Sequence, residues 1–348
     1  MSGIAFKADE FHFSILNPFK DFAEDPHMVE VRRDPLLGDT TVYNPFLRDK
    51  AKSFFGECDA ELVIKLVEES SKNCIFCGES VEKVTAKYPV DIVPDGRIKV
   101  GEAILFANLF AVGQYHPVVS LSKSHFLKLS EFSPEMICNG FRAARKFLDL
   151  VYTRDQSELY TAVSANYLFP AGASLVHPHI QMLVTPVAYS YHARLIDASL
   201  AYYRKHNSSY YSDLIQEEKK NGQRYIAQKG GWHWLTAFSP MGSNEVIAVH
   251  ERECDFGQLS ETDLRDLAGG ISKVLGFYES LGHLSFNYSL FSVRKPRGEG
   301  LHCMFKIITR QNLYNNYRND DYFLQKMLQS ELIINLPEEL APKIRVFF

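Results

Sequence analysis

The sequence lacks most of the features that assign a chain quickly. No apolar run approaches the ~20 residues needed to cross a bilayer. The N-terminal stretch carries Asp9, Glu10, Asp21 and Glu24 where an export signal would be basic and then apolar. Neither membrane insertion nor export is expected, and the cytoplasm is the default compartment. With 38 Lys and Arg against 42 Asp and Glu, a net charge of -4, the chain has no polybasic footprint for nucleic acid. A small anionic ligand would need locally placed donors. Cysteine is scarce: six residues, at 58, 74, 77, 138, 254 and 303, are too few and too scattered over 348 residues for a disulfide framework. Only Cys74 and Cys77 form a pattern, and a lone C-x-x-C fits a redox pair, half a metal site or coincidence equally.

The chain does have an ordinary globular composition, 46% apolar and 23% charged, and enough length for two domains. Its most informative stretch runs from Asn166 to Pro186, NYLFPAGASLVHPHIQMLVTP. From Leu175 onward His177, His179, Gln181 and Leu183 alternate with Val176, Ile180, Met182 and Val184, which reads as a β-strand with an apolar back. Same-face side chains on a strand lie about 6.6 Å apart (roughly 3.3 Å per residue), so two imidazoles and a carboxamide stand in a row. Such a row can grip a phosphate or a metal.

Elsewhere the pattern repeats. Val118 to Leu121, Leu129-Ser130-Glu131 and a helix opened by Ser133-Pro134-Glu135 are answered by Val246 to Val249, Leu259-Ser260-Glu261 and a helix beginning at Ser260. The strand Leu159 to Asn166 and the histidine strand are answered by Phe286 to Val293 and Leu301 to Ile308. In this alignment His177-Pro178-His179-Ile180-Gln181 faces His302-Cys303-Met304-Phe305-Lys306, so the second copy lacks the second histidine. The expected fold is α+β, two tandem units that each pair an antiparallel sheet with one long helix. The expected divisions are an arm over 1–28 without clear period, a first unit over 29–190, a Tyr-rich helical connector over 191–221 and a second unit over 222–348. Trp232 and Trp234 read as core.

The motif H-x-H-x-Q, with Asn166 eleven positions before His177 and Gly172-Ala173-Ser174 leading in, resembles the galactose-1-phosphate uridylyltransferase branch of the histidine-triad superfamily. The resemblance implies a nucleotidyltransferase that acts on a nucleoside diphosphate sugar and a sugar 1-phosphate, with His179 as the nucleophile and Gln181 holding the transferred phosphoryl group. It implies Ser174 and Asn166 as phosphate-side or orienting contacts and Asn108 as a contact to base or ribose. Arg48, with Lys50 and Lys52 near it, is a phosphate candidate. It also supplies partners for the C-x-x-C, making Cys74, Cys77, His125 and His177 a closed zinc site that is structural rather than hydrolytic. Leu109, where uridylyltransferases usually carry Asp, leaves the base open, and Ile180 replaces the usual small residue of the motif. Met304 and Val293 stand where a second metal would need histidines, so none is expected there. By the same resemblance the chain is a homodimer. Two other readings stay open: a nucleotide-sugar or dinucleoside polyphosphate phosphorylase using inorganic phosphate, and a zinc-stabilised nucleotide-binding module without catalysis.

Overall fold

The computed structural model describes residues 3–50, 55–294, 300–317 and 319–348. The N-terminal arm, expected to be irregular, is a regular hairpin. β1 (Lys7–Asn17) pairs along its whole length with β2 (Ala23–Arg33), and β3 (Thr40–Tyr43) pairs only with the last four residues of β2. Phe11, Phe13 and Ile15 alternate with His12 and Ser14, but β1 is exposed almost throughout, so this apolar row has no core behind it.

After α1 (Ala60–Ser71) and the short α2 (Ser80–Val84) come the strands of the first unit. These are β4 (Ile98–Val100), β5 (Ala103–Ala107), β6 (Pro117–Ser120), β7 (Leu159–Tyr167) and β8 (His179–Thr185). Helix α3 (Pro134–Arg154) lies between β6 and β7. Ser133 caps α3 by accepting from the Met136 N–H, Pro134 fills its first turn, and Ile137, Phe141, Ala144, Leu148 and Val151 form its buried stripe. The connector is two helices, α4 (Ser190–His206) and α5 (Tyr210–Asn221).

The second unit repeats the order: β9 (Tyr225–Lys229), β10 (Trp232–Thr236), β11 (Val246–His250), α6 (Glu261–Ser280), β12 (Phe286–Arg294) and β13 (Met304–Thr309). Then α7 (Phe323–Lys326), β14 (Ser330–Ile333) and α8 (Pro337–Arg345) close the chain, with β14 running parallel to β3 at the edge of the small sheet.

The two units fuse edge to edge. Their strands form one sheet in the order β4-β5-β6-β8-β7-β12-β13-β11-β10-β9, a palindrome about the β7–β12 seam. That seam runs from Tyr167 opposite Phe286 to Leu159 opposite Arg294, and at its centre the Ser164 and Ser289 hydroxyls lie 2.7 Å apart. Helices α3 and α6 pack on each other and on one face of the sheet, giving a single core that spans both units.

The register moves one part of the internal alignment by a residue. Val119 pairs with Ile180 and Ser120 with His179, while Ala248 pairs with Phe305 and Val249 with Met304, so with His179 matched to Met304 and Gln181 to Lys306, Ser120 answers Val249 and not Ala248. In the second unit the face opposite the long helices is covered by α4 and α5. Tyr211, Leu214 and Ile215 pack there with Met304, and the Tyr211 hydroxyl lies 3.1 Å from the Met304 sulfur. On the histidine face of the first unit Gln181 stays half-buried. Among the described residues no helix is long and apolar enough to cross a membrane.

Candidate active site and metal centre

Three segments converge where β8 begins. The first follows α1, capped by the Asp59 carboxylate on the Leu62 N–H at 3.0 Å, and carries Cys74 and Cys77 in a tight turn closed by Cys77 N–H to Cys74 C=O. A loop after β6 carries His125, and the third segment carries His177. Alternation had suggested a strand from Leu175. The ladder instead starts at His179, because Pro178 has no N–H to offer and His177 turns toward the cysteines.

The ligand atoms of Cys74, Cys77, His125 and His177 all lie within 4.8 Å of one another. The His177 Nδ1 is 3.7 Å from the Cys74 sulfur and 3.4 Å from the Cys77 sulfur, and the His125 Nδ1 is 3.4 Å from the Cys77 sulfur. A tetrahedral ion with bonds of about 2.3 Å to sulfur and 2.0–2.1 Å to nitrogen sets such pairs about 3.6 Å apart. The outer hydrogen bonds agree with this. His177 Nε2–H donates to the Ser122 carbonyl at 2.8 Å, and His125 Nε2–H donates to the Ser70 hydroxyl at 2.8 Å, whose own proton goes to the Leu66 carbonyl. Both Nδ1 lone pairs are thereby turned inward. Without a cation, burial and the neighbouring Cys74 push the Cys77 thiol up to about 12, and burial pulls His177 down to about 4. The donor set can hold a metal ion, and a cation would favour the thiolates.

His179 follows at once. Its Nδ1 lies 2.7 Å from the His177 carbonyl oxygen, which only accepts, so Nδ1 carries the proton. Burial holds the ring's pKa below the ordinary histidine value, opposed by that same bond. The ring is therefore neutral near pH 7, with an unprotonated Nε2. Phe76 meets both rings edge-on, its centroid 5.9 Å from His177 and 5.5 Å from His179.

Gln181 sits one strand step further. Its Oε1 is 2.9 Å from the Nε2 of His116 and 3.3 Å from the amide nitrogen of Asn108. The Asn108 carbonyl oxygen accepts from the Phe110 N–H, so both ends of that side chain are engaged. Asn166 accepts from Asn287 at 2.6 Å across the seam, and Asn287 also donates to the Ala171 carbonyl, tying the loop before the histidines to the second unit. Ser174 is exposed in that loop, which turns through Leu168 at φ +65° and Gly172 at φ +83°. A positive φ at a buried leucine is a strained choice that sequence gives no means to foresee.

Arg48 has a different partner from the one expected. It bonds Glu339 of α8 at 2.8 Å and the Tyr43 hydroxyl at 3.1 Å, beside the small sheet. Lys52 and the side chain of Lys50 lie outside the described residues. His116 was missed because it follows a loop and carries no motif. The pairing of Val118 with Gln181 would have exposed it, since it stands two residues before Val118 on the same strand face.

No family model matches the chain. A protein of Archaeoglobus fulgidus, itself uncharacterized, is 29% identical over 321 residues, 92% of this chain and 93% of that one. Among solved structures, a GalT-like protein from Arabidopsis thaliana is similar with a TM-score of 0.68 at 18% identity, over 90% of this chain and 98% of that one. An ADP-glucose phosphorylase from Arabidopsis thaliana with bound ADP-glucose gives 0.67 at 19% identity, over 91% and 98%. A uridylyltransferase gives 0.62 at 18% identity, over 71% of this chain and 84% of that one. With its duplicated sheet and its histidine strand in the first unit, the chain shares the fold of these GalT-like, ADP-glucose phosphorylase and uridylyltransferase structures.

Proposed function

We propose that the chain is a nucleotidyltransferase acting on a nucleoside diphosphate sugar and a phosphate-bearing acceptor through a nucleotidyl-His179 intermediate. One observation carries this reading: the 2.7 Å bond from His179 Nδ1–H to the His177 carbonyl, which leaves Nε2 as a fixed lone pair on a neutral ring. In the first displacement Nε2 attacks the α-phosphorus. A P–N bond forms, and the P–O bond to the departing sugar 1-phosphate breaks. The ring then carries positive charge, which the His177 carbonyl offsets at Nδ1. In the second displacement an oxygen of the acceptor phosphate attacks the same phosphorus and the P–N bond breaks, returning neutral His179. Gln181 donates to the non-bridging oxygens where charge builds up. Ser174 and backbone N–H groups near Gly172 are contacts on the same side.

Cys74, Cys77, His125 and His177 are the residues for a structural zinc ion, which would fix the backbone that orients His179. Likeness in fold to a uridylyltransferase makes hexose 1-phosphate the first acceptor to test. Likeness to an ADP-glucose phosphorylase makes inorganic phosphate the second and keeps adenine beside uracil.

The deciding experiment offers UDP-, ADP- and GDP-sugars labelled at the α-phosphate and follows label on protein and release of sugar 1-phosphate. Label on His179, discharged by an acceptor, is the expected outcome. Product with inorganic phosphate alone makes the enzyme a phosphorylase. Absence of label from every donor, with full metal content, would leave a nucleotide-binding module as the better description.

A further inference from the structure

We propose that His116 is a positioning residue for the transfer: held in one tautomer by the loop before it, it locks the Gln181 carboxamide with its amino group toward the phosphoryl site. This rests on the transfer reading above and assigns a role to a residue that no motif marks.

The lock is legible in the hydrogen bonds. The Val112 backbone N–H points at the His116 Nδ1 from 3.1 Å, and a backbone N–H can only donate, so Nδ1 is the bare nitrogen. The proton of the neutral ring is then on Nε2, which donates to Gln181 Oε1 at 2.9 Å. The Asn108 amide nitrogen lies 3.2 Å from that Nε2 but cannot donate to a protonated nitrogen, and adds a second donor to the Gln181 oxygen at 3.3 Å. Turning the Gln181 amide over would set its NH2 against two donors, so one orientation survives. Its amino group makes no hydrogen bond to protein among the described residues and is the free end of a half-buried side chain. His116 itself is buried. A protonated ring would place an N–H at Nδ1 against the Val112 N–H, and burial disfavours that charge as well. The 108–116 loop is further tied by the Asn108 N–H to the His116 carbonyl at 2.9 Å and by the Tyr189 hydroxyl to the Val112 carbonyl.

The second unit supports the assignment from the opposite direction. Lys306 replaces Gln181 there and reaches Glu245 at 2.9 Å. An ammonium has donors all round and needs no orienting partner.

The test is a cycle of His116→Phe, Gln181→Ala and the double variant, with His116→Gln as the conservative control. A glutamine amide nitrogen sits close to where imidazole Nε2 would and can donate to the same oxygen. His116→Phe should slow formation of the protein adduct roughly 10- to 100-fold with the donor's KM within a few-fold of wild type. His116→Gln should recover most of the rate, and His116→Phe should add nothing to Gln181→Ala. Additive losses, or equal losses in the Phe and Gln variants, would overturn the proposal. Nitrogen-15 spectra of the imidazole and of the Gln181 side-chain amide decide the geometry without substrate. A protonated Nδ1 on His116, or a Gln181 amide signal unmoved by His116→Phe, would overturn it too. A wild-type protein that forms no adduct refutes the transfer reading alone, while the spectra still judge the lock.

Discussion

Removing the metal should disable His179 before it unfolds the chain. His177 has two tasks: its ring faces the cysteines and its carbonyl, 2.7 Å from His179 Nδ1, fixes the tautomer and aim of the neighbouring ring. Cys77→Ser, or exhaustive chelation, takes the ion from the near nitrogen of His177, while its far nitrogen keeps the Ser122 and Ser120 contacts. An ion that binds only the folded state, present at about 1,000 times its Kd, contributes about 4.1 kcal/mol, whereas zinc-dependent miniature domains derive ~10–16 kcal/mol from the metal. The lower figure applies because a common core under both units holds the sheet together without the site. Unfolding should therefore shift down by several degrees and stay cooperative. Adduct formation should fall much further, since a misplacement of about 1 Å in a reacting group costs roughly 100-fold. The assay pairs metal analysis and calorimetry with α-phosphate labelling of the same sample. Full labelling rates in metal-free protein would refute the idea that a metal-held backbone aims His179.

Other outcomes follow from single sites. His179→Asn should retain metal and fold and lose labelling by about four orders of magnitude or more, measured by radiolabel on intact protein. Burial pulls His192 and His283 down to about 4, against about 6.5 in the unfolded chain, so the unfolded state binds more protons between those values. Stability is then lost as pH falls from about 6.5 toward 4, on the order of 3 kcal/mol for each residue. Urea titrations at a series of pH values should show this, and His283→Phe should flatten part of the slope. Gly270 on α6 packs so closely against Trp234 that a Cβ would overlap the indole, and Trp234 is wholly buried. Gly270→Ala should destabilise the fold by about 1–3 kcal/mol or more, read as a drop in Tm with Gly276→Ala as the tolerant control.

Much of this structure was written in patterns that survive without coordinates. The capped helices at Ser133 and Ser260, the alternation around Ile180 and Met182, and the match of His179 to Met304 in the internal repeat stand where they were expected. Each has a local cause: a cap must precede its helix, and a half-buried strand must alternate. The four residues whose ligand atoms could hold a metal were recoverable only through family resemblance, since their spacing spans the sequence from 74 to 177. What could not be read depended on pairing between distant strands. His116 gains its meaning from lying beside Gln181, and the partner of Arg48 is Glu339, nearly three hundred residues along the chain.

The β7–β12 seam has a consequence for how the molecule moves and comes apart. A hinge between the two units would have to break a continuous ladder from Tyr167 to Leu159 and part α3 from α6. Bending there is as hard as unfolding, so the chain should melt in one transition, and neither half should survive excision with its inner edge strand bare. The second unit is thus a permanent splint for the strand that carries Asn166. Any opening beside His179 and Gln181 falls to the loop residues 109–114 and 168–176, since Tyr115 is bonded to Val184 of β8 and the Pro178 carbonyl accepts from the Leu121 N–H.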